Sequence, residues 1–191
     1  MANNNIEIEI KLPISKKQSE ELIRKLGQSS KKIGTSRQID DYYTPPHKNF
    51  FKPDPPVEYL RIRKSQKGDS FNYKYWYTNK KGVSTHCDEY ETVIKNVQEL
   101  EKILKVLKFK KIITIDKKRV NFIYQEKYKI SLDTVQKLGN FIEIEALLGS
   151  DNIQKTRSEL FNLAKELGVE TSEPDKNGYV YLLMKKEGLI R

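Results

Sequence analysis

Acidic and basic residues recur along this chain in twos, with one residue between them. Glu7-x-Glu9-x-Lys11 comes first, followed by Arg61-x-Arg63, Lys74 just before Trp76, Glu89-x-Glu91, Lys117-x-Arg119, Asp133, and finally Glu143-x-Glu145. Carboxylates held two apart suit hard divalent cations, which take oxygen ligands. Arginines and lysines in the same spacing suit phosphate oxygens, arginine through its planar fork. A metal–triphosphate complex needs both kinds of group at once. The alternative is a set of exposed strands carrying cross-strand ion pairs. That explains any one pair well, and the whole ordered series poorly.

A spacing of two places both members of a pair on one side of a β-strand, and the segments carrying these pairs read as strands. In IEIEIKL (6–12), Ile6, Ile8 and Ile10 alternate with Glu7, Glu9 and Lys11. Further strands are expected at 37–43, 58–64, 70–77, 84–94, 110–124, 127–135 and 141–148, with turns at 66–69 and 79–82. If these strands curl with their charged sides inward, the interior holds seven acids and six bases, and the isoleucines face outward under helices. Helices are signalled by the Ser15/Gln18 capping box, with the stripe Leu22, Ile23, Leu26 and closure at Gly27. Asn96 with Glu99 opens a second, with Val97, Leu100, Ile103, Leu104 and Leu107 as its apolar stripe. A third carries Ile153, Leu160, Leu163, Ala164 and Leu167 before Gly168, and a short last one spans about 178–187 with Tyr179, Leu182 and Leu183. Five prolines between 45 and 56 mark the longest irregular stretch, a candidate lid. The expectation is one α+β domain over residues 1–191 with an antiparallel sheet.

Composition narrows the class. The chain has 191 residues, 37% hydrophobic and 32% charged, enough for one core and too apolar for wholesale disorder. No apolar run reaches the roughly 18 residues that span a bilayer, and no signal peptide is visible, so a cytoplasmic protein is expected. A single cysteine, Cys87, can neither form an internal disulfide nor build a zinc site alone. The net charge of +10 fits a nucleic-acid binder, a pocket for a small polyanion, or a lysine-rich solvated surface. A non-catalytic module for RNA or polyphosphate leaves the Glu-x-Glu strands unexplained, because acids repel such ligands unless metals bridge them.

The ordered set resembles the CYTH superfamily, the tunnel-fold group of class IV adenylyl cyclases, thiamine triphosphatases and inorganic triphosphatases. The E-x-E-x-K motif stands as Glu7, Glu9 and Lys11, and the R-x-R, lysine, K-x-R and terminal E-x-E strands follow in the family's order. DDYYTPPHKNF (40–50), LRIR (60–63), LGNFIEIE (138–145) and GYVYLL (178–183) are similar to the cyclase-like branch. The loop departs from that branch at His47, Lys48 and Asn49.

The resemblance implies an eight-stranded antiparallel β-barrel, closed into a tunnel, with helices outside. It implies two Mg²⁺ or Mn²⁺ ions held by Glu7, Glu9, Glu143 and Glu145, with Asp133 nearby. Lys11, Arg61, Arg63, Lys74, Lys117 and Arg119 would bind the triphosphate, with Glu7, Glu9, Lys11, Arg63 and Lys74 as the catalytic set. The implied reaction is ATP to cyclic AMP and pyrophosphate; the alternative is hydrolysis of tripolyphosphate, thiamine triphosphate or a nucleoside triphosphate. A homodimer is also implied.

Other residues carry less. His47 reads as a surface loop histidine and Cys87 as a strand packing residue, and Lys185 and Lys186 are given no role. Alternation sends Tyr73, Tyr75 and Tyr77 to the side opposite Lys74 and Trp76, where packing under a helix is expected. Glu89 and Glu91 are left between metal support and lysine orientation.

Overall fold

The structure, a computed structural model, describes residues 6–79, 84–147, 152–170 and 178–190. The strands are β1 (Ile6–Glu7), β2 (Glu9–Ile14), β3 (Lys31–Thr44), β4 (Glu58–Ser65), β5 (Asp69–Thr78), β6 (Ser84–Ile94), β7 (Lys110–Tyr124), β8 (Tyr128–Val135) and β9 (Gly139–Ala146). The helices are α1 (Lys16–Ser29), α2 (Val97–Val106), α3 (Ile153–Glu166) and α4 (Tyr179–Lys186). All strand pairs are antiparallel, in the order β1-β6-β5-β4-β3-β7-β8-β9-β2.

Closure depends on one residue. β1 and β2 are the expected first strand, interrupted at Ile8, which makes nine strands of the expected eight. Before Ile8 the chain pairs with β6, Glu7 opposite Cys87; after it the chain pairs with β9, Glu9 opposite Glu145. The Ile8 carbonyl still accepts from the Ala146 N–H at 3.0 Å. One segment therefore joins the two edges of the sheet and leaves a nearly closed barrel, which removes the exposed edges an open sheet would present.

Alternation sets what each wall faces. Ile8, Ile10, Leu12 and Ile14 pack outward with Phe122, Ile130, Leu132, Ile142 and Ile144 against Leu22 and Leu26 of α1 and Leu160, Leu163 and Ala164 of α3. A second cluster joins Tyr43, Leu60 and Ile62 to Val97 and Leu104 of α2, and Ile113, Ile115 and Phe141 to Tyr179, Val180, Leu183 and Met184 of α4. Ile115 lies opposite Asp40, Ile113 opposite Tyr42, and Phe141 opposite Asp133. These apolar residues share the phase of the inward charges, and α4 covers them at that level.

Several local details differ from the sequence reading. The capping box forms as expected, but α1 runs through Gly27 to Ser29, because Gly27 sits in open space and Ser30 caps the helix through Leu26. β3 begins at Lys31 rather than 37, its early part bulged between Lys32 and Gly34. Ile103 and Leu107 are exposed, so the apolar face of α2 is narrower than its sequence stripe. Tyr73 packs against Phe50 and Tyr90, whereas Tyr75 packs edge to face on Tyr77, which is exposed and stacks on His86. The expected turn at 79–82 lies, beyond Asn79, outside the described residues, as does Leu148.

A candidate metal–phosphate tunnel

The barrel encloses a cavity of about 290 Å³. Its walls carry Glu7, Glu9, Lys11, Arg61, Arg63, Lys74, Lys117, Arg119, Glu143 and Glu145, ten of the eleven residues expected at the site. They arrive from β1, β2, β4, β5, β7 and β9 because each occupies the inward phase of its strand.

Two aspartates in the wall organise the cations. Asp40 on β3, fully buried, accepts from Arg63 Nε at 2.7 Å and Nη2 at 2.8 Å, with Arg61 at 3.5 Å and Lys117 at 3.6 Å. Burial opposes its ionisation, yet Arg63, Lys117 and Arg61 together hold it well below the usual carboxylate range. Asp133, the eleventh expected residue, accepts from Arg119 Nε at 2.7 Å and Nη2 at 2.6 Å and from the Tyr179 hydroxyl at 2.8 Å. Its oxygens are engaged in aiming Arg119, so in this arrangement it braces a base and offers little to a metal.

The basic groups differ in character. Burial, with Arg119 and Arg63 adding to it, pushes Lys117 down to about 7 despite Asp40 and Asp133. Lys11 bonds Glu143 at 3.1 Å and approaches Glu9 at 3.5 Å. Both lysine ammonium groups stand over the Tyr179 ring, at 4.4 Å for Lys11 and 5.3 Å for Lys117.

The carboxylates expected to hold metal carry electrostatic strain. Glu9 and Glu145 are directly opposed across β2 and β9. Burial, then Glu143, raise Glu9 above its ordinary pKa. Burial pushes Glu145 up to about 7, with Glu7 and Glu9 adding to it against Lys129. Burial acts the same way on Glu143, but Arg119 and Lys11 hold it well below the usual range. Among the described residues no three such groups already stand together in metal-binding geometry. Lysines occupy them instead: Lys74 on Glu7, Lys11 between Glu9 and Glu143, and Lys129 on Glu145 at 2.6 Å. A hard divalent cation would relieve the repulsion, and the all-oxygen donor set of Glu7, Glu9, Glu143 and Glu145 fits Mg²⁺ or Mn²⁺.

Sequence reasoning missed several wall residues. Asn72 and Lys129 hold the same strand phase as Lys74 and Asp133, and that phase was the available signal; Asp40 shares its phase with Tyr42, which the sequence did not mark as inward. Arg157 reaches the cavity from α3 and lies 5.3 Å from the Phe161 ring. No sheet periodicity could flag it. Tyr179 read as helix packing. With Lys129, Arg157, Asp40, Glu89 and Glu91 included, the lining and its wall hold eight acids and eight bases.

Glu89 takes a bond from Lys74 at 3.1 Å and lies 3.7 Å from Arg61, which makes it an orienter of bases. Glu91 lines the cavity and accepts from Ser70 at 2.7 Å. Cys87 is buried with its thiol 3.4 Å from Glu7, and burial pushes that thiol up. His47 is exposed in the 45–57 loop, which Phe50 and Phe51 anchor to the core and whose Pro56 borders the cavity.

The CYTH domain model matches residues 5–179, and the chain belongs to that family. Its fold is shared with the PH1819 protein of Pyrococcus horikoshii OT3, at 30% identity and a TM-score of 0.80, over 94% of this chain and 99% of that one. A candidate adenylate cyclase of Vibrio parahaemolyticus superposes with a TM-score of 0.73 at 15% identity, covering 94% and 98%. A candidate adenylyl cyclase of Hippeastrum, HpAC1, described as having a dominant triphosphatase activity, superposes at 0.64 and 18% identity, covering 96% and 95%. No curated protein matches the sequence significantly. Among the described residues no helix is long and apolar enough to cross a membrane.

Proposed function

We propose that the protein is a divalent-metal-dependent triphosphate phosphohydrolase, cleaving the terminal phosphoryl group of tripolyphosphate or of a nucleoside or thiamine triphosphate. The observation that carries this reading is the cavity wall itself. Acids and bases project from nearly every strand, and this dense, two-signed lining complements a compact polyanion with its counterions. The Hippeastrum neighbour's triphosphatase activity supports the same direction.

Arg61, Arg63, Lys11, Lys74, Lys117 and Arg119 would bind phosphate oxygens and neutralise the charge that develops as the terminal P–O bond breaks. Asp40 and Asp133 fix the arginine forks, so little reorganisation is needed during the reaction. Glu7, Glu9, Glu143 and Glu145 would hold Mg²⁺ or Mn²⁺, which supplies Lewis acidity and charge neutralisation when bound. The lysines now on those carboxylates would then turn to the phosphates.

A second reading, the class IV cyclase reaction expected from the sequence, is favoured by one feature. Trp76, Tyr59 and Pro56 border the cavity together and offer an apolar surface for a base. The two are separated by product analysis after incubation with tripolyphosphate, and separately with ATP, with Mg²⁺ or Mn²⁺. Orthophosphate without cyclic nucleotide is the expected result. Cyclic AMP and pyrophosphate from ATP would establish the cyclase instead.

A further inference from the structure

Asn72 is 1% exposed, lines the cavity, and has a side-chain oxygen with no hydrogen-bond partner. Its orientation is not arbitrary. The amide nitrogen donates to Glu89, so turning the amide over would set oxygen against a carboxylate. Directly across the ladder stands Arg61, whose guanidinium approaches Asp40, Glu89 and Tyr42 but whose buried Nε is also unpartnered. The two do not satisfy each other. A buried acceptor and a buried donor, adjacent on one wall and both unspent, are costly unless an ordered water or a ligand completes them, and on the wall of a binding cavity they are open to a ligand that displaces the water.

The occupant must offer an acceptor to Arg61 and an O–H donor to Asn72. A divalent cation satisfies only the amide oxygen and is repelled by the neighbouring guanidinium. A phosphate inside a chain, esterified on both sides, carries no proton to give. A terminal phosphate has both an anionic oxygen and, near neutrality, a P–O–H. We propose that Asn72 is a specificity-determining residue that reads the free end of the polyphosphate, its amide oxygen accepting the terminal P–OH while Arg61 Nε binds an adjacent oxygen of the same phosphate. This rests on the phosphohydrolase reading and adds a selection rule to it: the substrate enters with its unesterified end at β4 and β5.

The test compares binding of tripolyphosphate with that of tripolyphosphate methylated at both ends. It is run at about pH 6, where a phosphate terminus still carries a proton, with and without Mg²⁺, on wild type, Asn72→Ala and Asn72→Ser. Asn72→Ala is expected to weaken the open-ended ligand about tenfold, the order expected for a buried group left unpaired, and to leave the capped ligand unchanged. Asn72→Ser, which keeps an acceptor, is expected to recover part of the loss. Should Asn72→Ala fail to fold, Asn72→Leu preserves the volume and carries the same expectation. Equal weakening of both ligands, or of neither, overturns the assignment. A separate titration with Mn²⁺ alone completes the test: weaker binding of the ion by Asn72→Ala than by wild type would make the amide a metal ligand and also overturns the assignment. A wild type that binds neither ligand under either condition overturns the phosphohydrolase reading instead.

Discussion

Asp40 and Asp41 are neighbours on β3 and face opposite sides of the barrel wall. Both are buried, at 0% and 2% exposure, and both are held below their ordinary pKa by nearby donors. Outside, Asp41 accepts from Lys64 and Lys111, each at 3.0 Å, and from Thr114 at 2.6 Å, while Glu101 of α2 takes the other side of Lys64 at 2.7 Å. That cluster closes on itself: every charge meets a partner, and it ties α2 to the sheet. Inside, Asp40 anchors Arg63, Arg61 and Lys117, and those bases still face a cavity, one with an unspent Nε and one pushed toward neutrality by burial. The same residue types, one position apart, thus make a fastening on one face and a charged cavity wall on the other. The difference is the capacity left over after internal pairing.

Substitution separates the two. Asp40→Ala is expected to cost roughly 3–5 kcal/mol of stability, because its cations remain buried without their anion. It should also lower turnover by at least about a hundredfold, since the arginine forks lose their aim. Asp41→Ala is expected to cost about 3 kcal/mol and to leave kcat/KM within about threefold. Denaturant melts and steady-state kinetics on both variants check the contrast. Loss of turnover in a folded Asp41→Ala protein would erase it.

Lys117 sharpens the comparison through pH. Its folded pKa, about 7, lies below its ordinary value of 10.5. Between those values the unfolded chain binds more protons than the native one, so the Lys117 contribution makes stability rise with pH across that window. Thermal melts of the metal-free protein from pH 7 to 10 should show this rise, and Lys117→Met should flatten it. A bound polyanion favours the charged lysine, so tripolyphosphate binding at about pH 8 should take up a proton in wild type and less in Lys117→Met. Calorimetry in buffers of different ionisation enthalpy measures that uptake.

The smallest expected effect belongs to Tyr179. Tyr179→Phe keeps the ring beneath Lys11 and Lys117 and removes only the hydroxyl on Asp133. About 1 kcal/mol of stability and a several-fold drop in kcat are expected, measured by the same melts and kinetics.

Much of this was legible in the sequence. The alternating segments located the strands, and their charged phase named twelve of the residues that line the cavity. Strand phase also carried Asn72 and Lys129, but a lone Asn or Lys lacks the paired spacing that distinguished the others. Asp40 was hidden by its twin, because Asp-Asp gives no sign of which carboxylate turns inward. That depends on the register of β3 against β4, where Asp40 meets Arg63. Asp133 lay in the correct phase, yet whether its oxygens are free depends on Arg119 and on Tyr179 arriving from a helix 46 residues away. The break at Ile8 is a consequence of closure between two distant edges, which no local pattern encodes.

The central claim, that the inward charges are the working site, is tested most directly by turnover of tripolyphosphate with Mg²⁺ or Mn²⁺ in Glu9→Gln and Arg63→Ala. Circular dichroism establishes that each variant folds. The account predicts a fall of at least about a hundredfold in each. Full turnover by both folded variants would contradict it.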